Sequence, residues 1–427
     1  MTTLPLSPTG ARNILSALQG GVVPESGLRH FAVGLDLQMR LFSQELLPDV
    51  GNGGGRVKAI VGGYGAGKTF MVGLLADEAL QAGFALSRVQ LDLSGVRLFK
   101  LEEIYSAIVN NLRLDGVNGP ALQAILDAWV QRAEDDVLSA SPDLEDTPAF
   151  REQVDARINF RLDTLAREQP ALGVAMRAYA RARQDADGET MQLIAGWFGG
   201  SGGLAAGPLR RLGLKTQVTG ELILPYLRGL LAIIRDSGQR GLVLVLDELD
   251  LLRRLKSDSR KKALNNLLVL VNDILGGRFP GLLLALAATP EALDGPRGFN
   301  DVEALLQRFI GHPEDPSGPR LYLPAFDRQR LLLVLERVSD LHRVAYPDVT
   351  LDAGLPAFLA DAWMQAFGGR VDRLPRLVIM KYLAELGRKR FNPSYDPYRE
   401  YHADASDPAV TPEERGDQTP SPEVEEF

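Results

Sequence analysis

The chain has 427 residues, 45% of them hydrophobic and 24% charged. That is the composition of an ordinary globular protein, and the length exceeds what one hydrophobic core usually supports, so two or more sub-domains are expected. The absence of cysteine excludes disulfides and thiolate metal sites, four histidines leave little for a metal centre, and the formal net charge is −8.

The start, Met1-Thr-Thr-Leu-Pro5, has neither the basic nor the apolar region of an export signal. The longest apolar runs, such as Leu282–Ala288, are too short to span a bilayer, so a cytoplasmic protein with no membrane role is expected. Residues 10–20 predict a short helix, followed by a loop over 21–27 and the segment Leu28-Arg-His-Phe-Ala-Val-Gly34. A second helix over about 35–48 ends in the breaker run Gly51-Asn-Gly-Gly-Gly55. Val57-Lys-Ala-Ile-Val61 reads as a strand that feeds a glycine-rich loop and a helix to about Ala82. A strand is expected from Leu86 to Leu93 and a helix from Leu101 to Leu112.

Between 114 and 218 the pattern is helical throughout, with segments near 119–133, 148–167 and 170–184, then Trp197 and the glycine-rich loop 199–203. A helix over about 219–236 leads back to Gly241-Leu-Val-Leu-Val-Leu-Asp247, whose unbroken apolar run suits a strand buried on both faces. Helix 259–275, a strand from Gly281 to Thr289, helix 301–309 and a short strand over 321–324 follow, and the chain is then helical from 327 to about 390. Residues 396–427 carry ten Asp or Glu against Arg399 and Arg415, a net −8, so the rest of the chain sums to zero. This tail, 393–427, is expected to be disordered. It serves as a solubilising extension or as an acidic arm competing with nucleic acid for a basic surface.

Strands alternating with helices, each strand apolar throughout, predict an α/β fold with a parallel five-stranded sheet covered by helices on both faces. The chain divides into 1–113 and 219–326 as the two parts of the sheet core, 114–218 as a helical insertion, and 327–392 as an all-helical C-terminal domain.

Gly62-Gly-Tyr64-Gly65-Ala66-Gly67-Lys68-Thr69 fits the phosphate-loop pattern G-x-x-x-x-G-K-[ST], between a predicted strand and a predicted helix. Its glycines let backbone N–H groups curl around phosphate oxygens, and the positive end of the following helix faces them. Lys68 then reaches the β- and γ-phosphates, and the Thr69 hydroxyl is a ligand for Mg²⁺. Asp247, at the tip of a buried strand, is placed to hold Mg²⁺ through water, and Glu248 to polarise the attacking water. Asp250 follows as a further candidate acid, or else caps a helix or pairs with the basic run behind it. Thr289, at the tip of the next apolar strand, is expected between the strands of the phosphate loop and Asp247, orienting the water or touching the γ-phosphate, or else opening a loop before Pro290. Arg308 either projects into a neighbouring subunit's site or ends its helix in solvent. Arg376 opens a C-terminal helix from which it can reach the γ-phosphate, with Arg370 and Arg373 as rivals.

In this order, these motifs resemble an AAA+ ATPase. More narrowly, the chain is similar to the BrxD family of ATP-binding proteins from bacterial BREX anti-phage systems. The resemblance rests on Gly27-Leu-Arg-His-Phe-Ala-Val-Gly34, Val61–Phe70, Ala178-Tyr-Ala-Arg-Ala182, Gly241–Asp250, Ala288-Thr-Pro290, Arg260 and the Pro375-Arg376 pair, and it covers most of residues 10–390. It departs at Asp250, where a glutamate is expected, and at Trp197-Phe-Gly-Gly-Ser-Gly-Gly203, in place of a Trp-Leu-Gly-Glu-like turn. The resemblance implies an ATPase with the C-terminal helices as a lid, and an adenine pocket lined by Arg29 to Val33 with His30 and Phe31 nearest the base. Residue chemistry alone puts Phe31 in the core. The resemblance also implies work on DNA beside a helicase or other defence protein, in a homo-oligomer. Two basic stretches could meet phosphates: 253–262, with six cations against Asp258, and 370–390, with seven against Asp372 and Glu385. The competing reading is an ATP-gated switch or scaffold that recruits a partner with slow turnover and no DNA contact.

Overall fold

A computed structural model describes residues 6–144, 147–200, 204–215, 220–368, 375–392 and 394–404. Arg370, Arg373, the middle of the 199–203 loop and the acidic residues beyond 404 lie outside them.

The centre of the fold is a sheet of β1 (Arg56–Val61), β2 (Ala85–Gln90), β3 (Leu112–Arg113), β4 (Leu242–Asp247), β5 (Leu282–Ala288) and β6 (Arg320–Tyr322). Their order across the sheet is β3-β2-β4-β5-β1-β6. The five-stranded parallel expectation is corrected by β3, which pairs antiparallel with β2 through Leu86–Arg113 and Ser87–Leu112 and makes the sheet six-stranded and mixed. The sequence places Leu112 at the end of a helix. That helix stops at Asn110, and after Asn111 the pair Leu112–Arg113 joins the sheet edge.

Every residue of β4 and β5 is buried, as a strand covered on both faces requires. The two-residue period then sorts side chains cleanly between faces. Leu242, Leu244 and Leu246 enter a core with the helices Leu101–Asn110, Ile223–Asp236 and Ser257–Leu275, while Val243 and Val245 enter a second core. In the second core they meet Met71, Val72 and Leu75 of the helix Lys68–Gln81, and Phe42 and Val50 from the helical segment 36–51. Helices Leu122–Ala140, Pro148–Glu168, Pro170–Gln184 and Gly188–Phe198 extend the first core outward, with Trp129, Tyr179 and Trp197 buried among them.

A third core lies in a helical bundle of Arg328–Ala345, Leu355–Ala366 and Pro375–Phe391. Its fourth member is the N-terminal helix Pro8–Gln19, which the sequence groups with the sheet domain. Ala11, Ile14, Leu15 and Leu18 of that helix share the bundle's core. The bundle also holds part of what the sequence assigns to a disordered tail. Tyr395 donates its hydroxyl to the buried Glu385, Lys389 Nζ donates to the Tyr395 carbonyl at 2.9 Å, and Trp363 Nε1 donates to the Tyr401 hydroxyl at 2.7 Å. Phe358 and Tyr398 stack with ring centroids 4.8 Å apart. Tyrosines three residues apart thus give residues 395–401 an apolar edge that repays their ordering. Trp363 is 1% exposed, so Trp363→Ala should lower the unfolding free energy by about 3–5 kcal/mol in a denaturant titration. Tyr401→Phe, which removes the acceptor while keeping the ring, should cost about 1 kcal/mol.

Candidate nucleotide site

The tips of β1, β4 and β5 converge at one edge of the sheet. β5 lies between the other two, with Val61 in register with Ala288 and Leu246 with Leu286. As the chain leaves β1, the Gly62 N–H donates to the Ala288 carbonyl at 3.2 Å, fixing the start of the loop beside β5. Gly65 and Gly67 have φ of 75° and 86°, a left-handed conformation that glycine adopts without a Cβ penalty. They reverse the chain into the helix Lys68–Gln81, whose first N–H groups have no partner within the helix. Tyr64 is 45% exposed on the outside of the loop.

Lys68 Nζ donates to the carbonyls of Gly62 and Gly63 at 3.0 and 3.1 Å, so in this state the lysine lies across its own loop. Burial lowers its pKa, and the negative charges of Asp250, Glu248, Asp247 and Glu291 oppose that shift. One cation thus sits within electrostatic reach of four carboxylates. Asp247 is 3% exposed, with one oxygen accepting from Arg88 Nη2 at 2.6 Å and the other from the Glu248 N–H at 3.0 Å. Glu248 has φ 64° and ψ 37°, a conformation that costs a non-glycine residue about 1–3 kcal/mol. Burial raises its pKa, and the adjacent charges of Asp247 and Asp250 raise it further.

Thr289 hydrogen-bonds Asp250 through its hydroxyl and its N–H, and the same hydroxyl accepts from the Ala292 N–H at 3.3 Å. Asp250 is thus tied to Thr289, which keeps this acid beside the site. Phe31 is 5% exposed and stacks on Phe70 with centroids 5.0 Å apart, joining the phosphate-loop helix to the bundle core. His30, half-buried, ends the short helix Leu28–His30 beside it, and Arg29 pairs with Glu78 on the phosphate-loop helix. Arg376 is half-buried, with Nη1 3.4 Å from Met380 Sδ, and packs against Gly21. Arg308 is exposed, and its Nε donates to Asn272 Oδ1 at 2.8 Å.

Arg88 is the residue of the site that the sequence reading misses. Its one signal is a cation inside the strand Ala85-Leu-Ser-Arg-Val-Gln90, and only the pairing of β2 with β4 brings it to Asp247. The basic stretches also change. Arg260 is 6% exposed, with hydrogen bonds to Asp301 and the Leu255 carbonyl, which leaves Lys256, Lys261 and Lys262 as the exposed cations of 253–262. In the described part of the other stretch, Arg388 pairs with Glu385 at 3.1 Å and Arg390 lies 3.8 Å from the Tyr346 ring centroid. Phe391, next to Arg390, is 81% exposed.

Among the described residues no three His, Cys, Asp or Glu side chains are grouped to hold a metal, and no helix is long and apolar enough to cross a membrane. The residues present fit a magnesium ion carried in by a triphosphate in their chemistry: Thr69, in the first turn of the helix after the loop, and the buried Asp247 at the tip of β4 are both oxygen donors. No curated protein matches the sequence. The model of one family does match, over residues 6–405, so the chain belongs to the BREX system ATP-binding proteins BrxC/D.

Proposed function

We propose that this ATP-binding protein of the BREX phage-defence system hydrolyses ATP as an AAA+ type enzyme, in an assembly of several copies acting on or near DNA. The observation that carries the reading is the meeting of Lys68, Asp247, Glu248 and Thr289 at adjacent strand tips, with Glu248 in a strained conformation and its pKa raised. Strained backbone and perturbed carboxylates concentrate where chemistry is done.

In this mechanism the loop N–H groups and the helix start hold the β- and γ-phosphates. Lys68 exchanges the Gly62 and Gly63 carbonyls for phosphate oxygens. Thr69 and Asp247 would hold Mg²⁺, which would supply neutralisation of phosphate charge. Glu248 accepts a proton from a water as that water's oxygen bonds to the γ-phosphorus and the bond to ADP breaks. Thr289 orients the water once it is free of Asp250. His30 and Phe31 line the adenine side, the C-terminal bundle acts as the lid carrying Arg376, and Arg308 serves a neighbouring copy.

The alternative is an ATP-gated switch that recruits a helicase or other defence protein and turns over slowly. The exposed Lys256, Lys261 and Lys262, and the Arg390–Phe391 surface, are the places for sequence-blind contact with DNA. The test is the specific ATPase rate across protein concentrations, with and without DNA. The rate per chain should rise steeply with concentration and respond to DNA at low salt. A flat rate favours the switch, and indifference to DNA at every salt removes the nucleic-acid role.

A further inference from the structure

The pair of Arg88 with Asp247 has the geometry of a contact made to be broken. Asp247 is the inner partner, its side chain 5% exposed, whereas the Arg88 side chain is 36% exposed and has an open route to water. A carboxylate this deep needs a cation; Arg88 is in contact with it, and Lys68 lies within electrostatic reach. The other Asp247 oxygen accepts a backbone N–H from Glu248, which a metal ligand tolerates, since each carboxylate oxygen has two lone pairs. A guanidinium is different. It puts a full positive charge in contact with the carboxylate that an incoming cation would share, and two cations on one buried carboxylate repel strongly.

We propose that Arg88 is a positioning residue that holds the Asp247 carboxylate in the nucleotide-free protein and releases it when a divalent cation arrives with nucleotide. The proposal rests on the reading of Asp247 as a metal-holding carboxylate. Its consequence is a coupling between the nucleotide site and the exit of β2. Asp247 accepts the Leu91 N–H through its backbone carbonyl at 3.1 Å, and the segment after Leu91 turns through Asp92 and Ser94 to the Arg97–Glu103 pair. Freeing the guanidinium therefore changes what anchors the end of β2, while the backbone pairing with β4 stays.

The test is a Mg²⁺ titration of a fluorescent ADP bound to the full chain, together with the melting temperature of the nucleotide-free protein. Arg88→Gln should bind ADP with Mg²⁺ about tenfold more tightly than wild type, within the usual range of coupling between sites, while its affinity in EDTA stays unchanged. Nucleotide-free Arg88→Gln should melt lower than wild type and regain the difference when Mg²⁺ and ADP are added. Arg88→Lys, which keeps the charge without the planar fork, should fall between the two in both measurements and covers the case in which the glutamine variant does not fold. A higher Mg²⁺ requirement in Arg88→Gln, or none of these changes, overturns the proposal. Asp247→Asn separates the two levels: if it keeps the wild-type Mg²⁺ dependence, the reading of Asp247 fails whatever Arg88 does.

Discussion

Glu248→Gln should bind ATP as tightly as wild type while hydrolysing it at least ~100-fold more slowly, the usual worth of a general base. The substitution preserves size and leaves the strained φ of 64° in place, so any loss belongs to the carboxylate and not to the turn. Burial, with Asp247 and Asp250 alongside, keeps the Glu248 carboxyl protonated to higher pH than an ordinary glutamate. A base must be deprotonated to act. Activity is therefore present above the Glu248 pKa and lost as pH falls through it, so wild-type hydrolysis should show an acid limb that Glu248→Gln lacks. Phosphate release measured against pH, with nucleotide binding measured in parallel, checks both statements. A glutamine variant as fast as wild type would remove Glu248 from the mechanism.

Arg308→Ala should lower hydrolysis by about 10³-fold or more with nucleotide binding intact, the loss expected when an arginine that meets transition-state charge is removed. Arg308 is exposed and braced by Asn272; the helix that carries Asn272 also exposes Val269 at 50% and Leu275 at 52%, and Ile310, two residues after Arg308, is 61% exposed. Exposed apolar groups such as these suit burial against a second copy. The decisive measurement mixes two inactive proteins. Arg308→Ala retains Glu248, and Glu248→Gln retains Arg308, so shared sites formed between them should recover a substantial fraction of wild-type turnover. If the mixture stays as inactive as its parts, Arg308 does not act across an interface.

What the sequence makes legible is what single elements declare by themselves. β4 and β5 announce themselves because a strand buried on both faces has no polar position to interrupt it, and the loop from Gly62 to Thr69 because its glycines and Lys68 stand at fixed spacing. What it hides is pairwise. Arg88 meets Asp247 only through the register of β2 on β4, which no local pattern encodes. Arg260 reads as one more surface cation until Asp301, from a different element, is seen to bury it. β3 is two residues long, too short for any periodicity. The segment around Tyr395, Tyr398 and Tyr401 sits in acidic surroundings that read as tail, and its contacts are with Glu385 and Lys389 of the preceding helix and with Phe358 and Trp363 of the one before. The site divides the same way: the residues of the phosphate loop and the Asp-Glu tip are motifs, whereas the partners that hold them in this state are not.

The N-terminal helix Pro8–Gln19 lies among helices that begin at Arg328, and this gives the bundle two tethers to the sheet in place of one. One tether is residues 20–35, which carry Gly21 beside Arg376 and Phe31 against Phe70; the other is the chain from β6 to Arg328. A body hung from one point can swivel freely, but one hung from two turns about the line between them, as a door does on its hinges. For the lid role proposed above, closure over nucleotide would be a turn about that line, with Arg376 carried on the bundle and Phe31, held against Phe70, staying at the hinge.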